Sequence, residues 1–205
     1  MWGPLKDYFT RDSAIKILLF IVTYKLGDAY AGSLSTAFLL KGMGFSATKV
    51  GTINKGLGLV STVVGAMFGG TFMIRLGLFR SLFLFGLLQG VSNLLFMVLA
   101  YTGKSYAMLV VTVAVENLTS GMGTASFVAF IMTLCNQRYS ATQYALLSSL
   151  AAMGRILIAP TSGIVVEAVG WANFFLITTL TATPGMVLLL WLRKDIEDMA
   201  NANKS

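Results

Sequence analysis

The sequence predicts an all-α polytopic membrane protein with six transmembrane helices, and three observations predict it. Hydrophobic residues make up 56% of the chain and charged residues only 11%. A soluble domain carries about 25% charged residues, so this chain cannot cover its own surface with polar groups in water, and lipid is the solvent its composition suits. Charged and turn residues cut it into six apolar runs, at about 14–40, 50–74, 81–100, 106–134, 143–166 and 172–192. Each run reaches roughly the 20 residues that a helix needs to cross about 30 Å of hydrocarbon. Transmembrane strands would be about half as long and would alternate in polarity. Lastly, the connections KGMGFSATK, RLGLFR, YTGKS, CNQRYSAT and EAVGWAN are short, so neighbouring helices run antiparallel.

Composition also excludes function classes. The net charge of +7 comes from basic residues in the connections, which reads as membrane topology, and no nucleic acid is expected as a partner. Cys135 is the only cysteine and histidine is absent. An intrachain disulfide, a cysteine metal cluster and the commonest general base are therefore all ruled out. No metal-ligand spacing and no nucleophile–base pair stands out; Ser148 and Ser149, for example, have no base in view. Neither an enzyme nor a cofactor is expected.

The elements follow in order. Residues 1–13 form a mixed-charge lead with Lys6, Asp7, Arg11 and Asp12, too polar and too closely followed by a long apolar run to be a cleavable signal. In the second run Gly65 and Gly69 make a GxxxG pair, and in the fourth Ala125 and Ala129 are small residues at the same spacing, which lets helix backbones approach closely. Pro160 and Pro184 fall inside the fifth and sixth runs, and each removes a backbone donor and should kink its helix. Residues 193–205 form a polar tail. Nine Lys and Arg residues lie on the side of the termini (Lys6, Arg11, Lys16, Arg75, Arg80, Arg138, Arg193, Lys194, Lys204) against three on the other (Lys41, Lys49, Lys104). That asymmetry places both termini in the cytoplasm, with Tyr101, Tyr106 and Trp171 as interfacial anchors on the far side.

Four charges lie deep within the runs. Lys25 and Asp28 interrupt the first in YKLGDAY; Asp28 is 12 residues beyond Lys16 and 13 before Lys41, roughly 18–20 Å from each and so near mid-bilayer. Residues three apart share a helix face, so the two side chains can pair, with Gly32 and Ser35 continuing that face. Glu116, beside Asn117, shares its face with Thr112, Ser120 and Gly123, and Arg155 sits mid-run with Ser148 and Ser162. Lys55 is close enough to an end to snorkel outward. A charge at mid-bilayer costs at least about 2.5–3.5 kcal/mol, and pairing lowers the cost without removing it. Two readings stay open: an ion network that fixes helix register, or a wet path for substrate or protons, with Lys25 and Arg155 either meeting the substrate or neutralising a carboxylate.

Two features carry a resemblance. GGTFMIRLGLFR, with Gly70, Arg75, Gly77 and Arg80, resembles the signature loop of the major facilitator transporters, although Ile74 stands where that signature has an Asp. At greater length, YKLGDAYAGSLSTAFL, GTINKGLGLVSTVVGAMFGG, LFGLLQGVSNLLF, ENLTSGMGTASFVAFIMTLCN, SATQYALLSSLAAMGR and VEAVGW resemble the AmpG muropeptide permease family, in order, from about Pro4 to Leu192. The resemblance implies the second six-helix half of a major facilitator transporter in the bacterial inner membrane, with WGPLKDYFTRDSA similar to the connection between halves. It implies proton-coupled import of anhydromuropeptides for cell-wall recycling. The first and fourth helices would line the central cavity, with Asp28 and Glu116 carrying protons and Tyr24, Lys25, Asn117 and Arg155 meeting the substrate. Gly70, Arg75, Gly77 and Arg80 would form the gating loop. The partners implied are the muropeptide, protons, the lipid bilayer and either an N-terminal six-helix half or a second copy of the chain. A self-sufficient homodimeric carrier of another solute and a non-transporting fragment remain as alternatives.

Overall fold

A computed structural model of the chain describes residues 14–136 and 140–202, and no strand occurs among them. The lead 1–13, Arg138 and Lys204, all used above for orientation, lie outside the described residues. Helix α1 spans Ala14–Tyr24 and α2 spans Leu26–Ala37, continued by a π-helical turn over Phe38–Gly42. Helix α3 (Ala47–Thr52) runs through a second π-helical turn (Ile53–Gly58) into α4 (Leu59–Leu76). Then follow α5 (Leu78–Thr102), α6 (Tyr106–Leu134), α7 (Ser140–Ile158), α8 (Thr161–Thr181), α9 (Thr183–Trp191) and α10 (Arg193–Ala202).

Local chemistry sets the boundaries. Gly77, Gly103 and Gly170 adopt φ of 77°, 81° and 79° with ψ near extended values, a backbone region essentially open only to glycine. One residue thereby redirects the chain from α4 to α5 and from α5 towards α6, and Gly170 divides α8 in the same way. The Ser105 hydroxyl caps α6 by accepting from the Met108 N–H at 3.3 Å, which satisfies one of the orphan donors of a helix start. Pro160 ends the fifth run as one helix: α7 stops at Ile158 and Pro160 sits at the N-cap of α8. Pro184 lies in the first turn of α9, where its missing N–H leaves no intrahelical bond unmade. Both prolines therefore separate helices rather than bend continuous ones.

Four stretches have the length and apolarity to cross a membrane: Ala14–Gly42, Ala47–Leu76, Leu78–Thr102 and Thr161–Trp191. The runs expected at 106–134 and 143–166 fall in α6 and in α7 with the start of α8. They are less apolar because α6 carries Glu116, Asn117, Thr119 and Ser120, and α7 carries Gln143, Ser148, Ser149 and Arg155.

Helix α6 is the central element, packed on α4 and α5; α5 also packs on α8, α2 on α8, and α1 on α7 and α9. The α4–α6 crossing is the tightest. A Cβ on Gly65 would lie 2.1 Å from the Leu118 carbonyl oxygen, and one on Gly121 would lie 2.2 Å from that of Thr62. The GxxxG pair of the second run thus marks a real backbone contact, its Gly69 facing the Met122 backbone. Two apolar clusters form the interior. One gathers Ile17, Phe20, Tyr24, Phe130, Leu134 and Leu189 near the end where α1 begins. The other gathers Tyr30, Phe38, Phe96, Leu109, Phe174 and Phe175 near the opposite end. Between them, at mid-length, lie the buried polar residues Gln89, Ser92, Asn93, Thr119 and Thr178. Outside, α4 exposes Leu59, Val60, Val63, Met67, Phe68 and Ile74, a surface suited to lipid rather than water.

Candidate functional site

The polar level opens into a cavity of about 770 Å³ whose wall holds Lys25, Asp28, Glu116 and Arg155. The four deep charges, drawn from three separate runs, face one space. Hydroxyls of Ser120, Thr124 and Ser148 line it as well.

Lys25 stands at a break in the first run. Its backbone (φ −97°, ψ 4°) leaves the helical region between α1 and α2 for the sparsely populated bridge region. Its ammonium donates to Gln89 Oε1 and to Thr124 Oγ1, both at 3.2 Å, and lies 3.8 Å from Asp28 Oδ2. The pair expected from the spacing of three is present. The break puts Asp28 in the first turn of α2.

Glu116 is held on α6 by its neighbour. Asn117 Nδ2 donates to Glu116 Oε2 at 2.9 Å and to the Val113 carbonyl at 2.8 Å. The Thr62 hydroxyl, from α4, lies 3.2 Å from Asn117 Oδ1. The amide is thereby fixed at both ends and orients the carboxylate. Asn117 does not line the main cavity; with Glu116 it lines a second, smaller one. Arg155 is exposed on the wall formed by α7 and has no carboxylate partner within salt-bridge distance among the described residues.

Tyr24 does not reach the cavity. Its ring stacks on Phe127 at 5.3 Å between centroids, and its hydroxyl donates to the Leu82 carbonyl at 2.8 Å. One residue before Lys25, it points about 100° round the helix into the apolar cluster. The signature-like loop lies apart from the cavity: Arg75, Gly77 and Arg80 are exposed around the α4–α5 turn, and Gly77 supplies its positive φ. Lys55 is exposed within the second π-helical turn.

Residues not singled out from the sequence complete the site. Gln89 accepts from Lys25, and Ser92 accepts from the Thr119 hydroxyl at 3.0 Å. Gln89, Ser92 and Asn93 stand at positions i, i+3 and i+4 of the third run, a polar stripe on one helix face that was visible as LLQGVSNLL.

The arrangement can do three things chemically. Two carboxylates can take up and release protons, two cations can meet anionic groups, and the hydroxyls can bond sugar or peptide.

Known proteins resemble this chain in sequence. Residues 17–205 match the Major Facilitator Superfamily. The chain is 53% identical over 195 residues to the anhydromuropeptide permease of Escherichia coli strain K12, covering 95% of this chain and 40% of that protein. It is 36% identical over 194 residues to the putative transporter AmpG 4 of Rickettsia conorii, covering 95% of this chain and 47% of the relative. It is 35% identical over 182 residues to the putative transporter AmpG 1 of Rickettsia prowazekii, covering 89% and 41%. The chain thus spans less than half the length of these curated relatives, all of them named as permeases or transporters. A helical, membrane-embedded bundle with a charged cavity at mid-depth, matched along nearly its whole length, belongs to the major facilitator superfamily.

Proposed function

We propose that this chain supplies one six-helix half of a permease that imports anhydromuropeptides together with protons across the bacterial inner membrane, both termini being cytoplasmic. A muropeptide is a sugar bearing an acidic peptide. In this reading Lys25 and Arg155 meet its carboxylates, while Asp28 and Glu116 carry protons. Asn117 acts as a positioning residue for Glu116, and Tyr24 supports the wall behind Lys25 rather than touching solute. Gly70, Arg75, Gly77 and Arg80 serve the loop that lets the halves move, and the remaining wall of the cavity comes from a second six-helix unit. The observation that carries this reading is the cavity of about 770 Å³ that gathers both carboxylates and both cations, within the roughly 300–1,000 Å³ of pockets for drug-sized ligands. Similarity to a permease named for anhydromuropeptides supports the substrate class.

The test is uptake of labelled anhydromuropeptide into proteoliposomes under an inward proton gradient, first with the purified chain and then with the chain joined to its other half. Gradient-driven uptake that is lost in Asp28→Asn or Glu116→Gln supports the reading. Uptake that stays intact in both variants overturns the proton roles.

A further inference from the structure

Glu116 lines two cavities that reach different depths: the main one runs from Ile131 and Tyr144 through mid-length to Ser33 and Ala159, and the smaller one lies beyond mid-length, towards the opposite end from Tyr144. The main cavity extends towards Ile131 and Tyr144, which flank the connection between α6 and α7. The smaller, of about 270 Å³, is lined by Ser35, Leu39, Asn54, Phe96, Val113, Glu116 and Asn117. Leu39 and Asn54 flank the connection between the first and second runs, at the other end. Among the described residues, Glu116 is the one ionisable group on both walls.

We propose that the smaller cavity is a proton-access chamber, a water-filled site through which a hydrated proton reaches Glu116 from the end of the bundle bearing Lys41, Lys49 and Lys104, separately from the solute. The inference rests on the reading of Glu116 as a proton carrier and assigns the route by which it is loaded.

Size divides the cargoes. At about 270 Å³ the chamber is about a third of the size of the main cavity of about 770 Å³, and a water's share of liquid volume is about 30 Å³. Chemistry agrees with size. Ser35, Asn54, Asn117 and Glu116 offer the two to four polar partners that a buried water needs. Among the described residues no lysine or arginine lines the chamber, and Glu116 is its only carboxylate.

The charged groups facing Glu116 are Lys25 and Asp28, with Arg155 further along the main wall. All of these line the main cavity, and Lys55, next to Asn54 in sequence, is exposed and does not line the chamber. Asn117 engages Oε2 alone, and Glu116 Oε1 has no hydrogen-bond partner among the described residues. The step balances simply: a hydronium ion on the chamber side gives its proton to the Glu116 carboxylate and remains as water, and the neutral acid later gives that proton to water in the main cavity, restoring the carboxylate.

The test uses thiol accessibility, which does not depend on transport. In a Cys135→Ser background, Asn54→Cys and Ser35→Cys report the chamber and Ser148→Cys reports the main cavity. Each is placed in the chain reconstituted in vesicles of one orientation, and a small membrane-impermeant cationic methanethiosulfonate is added on one side at a time. The expected result is that the chamber cysteines react at least tenfold faster from one face and Ser148→Cys at least tenfold faster from the other. Reaction of all three from the same face, or no reaction of both chamber cysteines in folded protein, overturns the chamber. Asn54→Phe then tests the link to transport. It should lower gradient-driven uptake at least tenfold and leave solute counterflow without a gradient unchanged; equal loss of both overturns the separate proton route. If the unsubstituted chain joined to its other half takes up no muropeptide, the functional reading fails, and the accessibility pattern still decides the chamber.

Discussion

The ammonium of Lys25 donates to Gln89 Oε1 at 3.2 Å, joining the break between α1 and α2 to the middle of α5. Gln89 is almost fully buried, so its carbonyl oxygen is committed to this one cation. Replacing it with leucine keeps the volume and removes the acceptor. A hydrogen bond to a charged group contributes about 1.5–3 kcal/mol, so Gln89→Leu is expected to lower stability by that amount in detergent unfolding. An unchanged unfolding midpoint would show that Thr124 and Asp28 hold Lys25 without it.

Lys25 and Asp28 should be energetically coupled. Either Lys25→Met or Asp28→Asn leaves one partly buried group without its partner, whereas the double variant removes both. Contacting pairs couple by about 0.5–3 kcal/mol, and the double variant is expected to be more stable than the sum of the two single losses. A double-mutant cycle in unfolding measurements decides it; strict additivity would mean that the 3.8 Å approach carries no energy.

The α4–α6 crossing gives a steric prediction with an internal control. Gly65→Ala drives a methyl into the Leu118 backbone, and backbone cannot rotate away. Overpacking of this kind costs about 1–3 kcal/mol. Gly163→Ala meets nothing within 4 Å on α8 and should gain about 0.5–1 kcal/mol from helix propensity. Thermal unfolding of the two variants should shift in opposite directions.

Turn glycines predict a different signature. At Gly103 and Gly170 the space that a Cβ would occupy is open, but φ is 81° and 79°. Gly103→Ala and Gly170→Ala should therefore each cost about 1–3 kcal/mol through backbone strain alone. Gly103→Asn and Gly103→Ala losing similar stability would fit strain; a loss that grew steadily with side-chain volume would point to packing instead.

The helical, lipid-facing character of the chain was legible because oil-like runs and short connections leave few alternatives. The GxxxG spacing and the Lys25–Asp28 pair were legible for a related reason: both rest on residues three or four apart along one run, where sequence spacing is close to spatial spacing. What was not legible depends on partners from other helices. Gln89 counted as part of a resemblance, and only the fold puts it opposite Lys25. Tyr24 was expected at the substrate on the strength of the resemblance, yet one step along a helix from Lys25 turns a side chain by about 100°. Arg155 and Glu116 were found by depth alone, and their shared wall required α2, α6 and α7 to border one cavity.

The mid-level polar layer has a consequence for how the chain enters the membrane at all. A charged side chain at the centre of a segment leaving the translocon costs about 2.5–3.5 kcal/mol, and α6 carries Glu116 with the polar Asn117 beside it. Thr62, which contacts Asn117, lies on α4 and is therefore synthesised earlier. Integration of α6 is expected to be assisted by a helix already waiting in the bilayer, so that biogenesis is cooperative rather than segment by segment. Deleting 47–76 should then reduce membrane integration of 106–134 in a glycosylation-reporter assay, although the sequence of that segment is untouched.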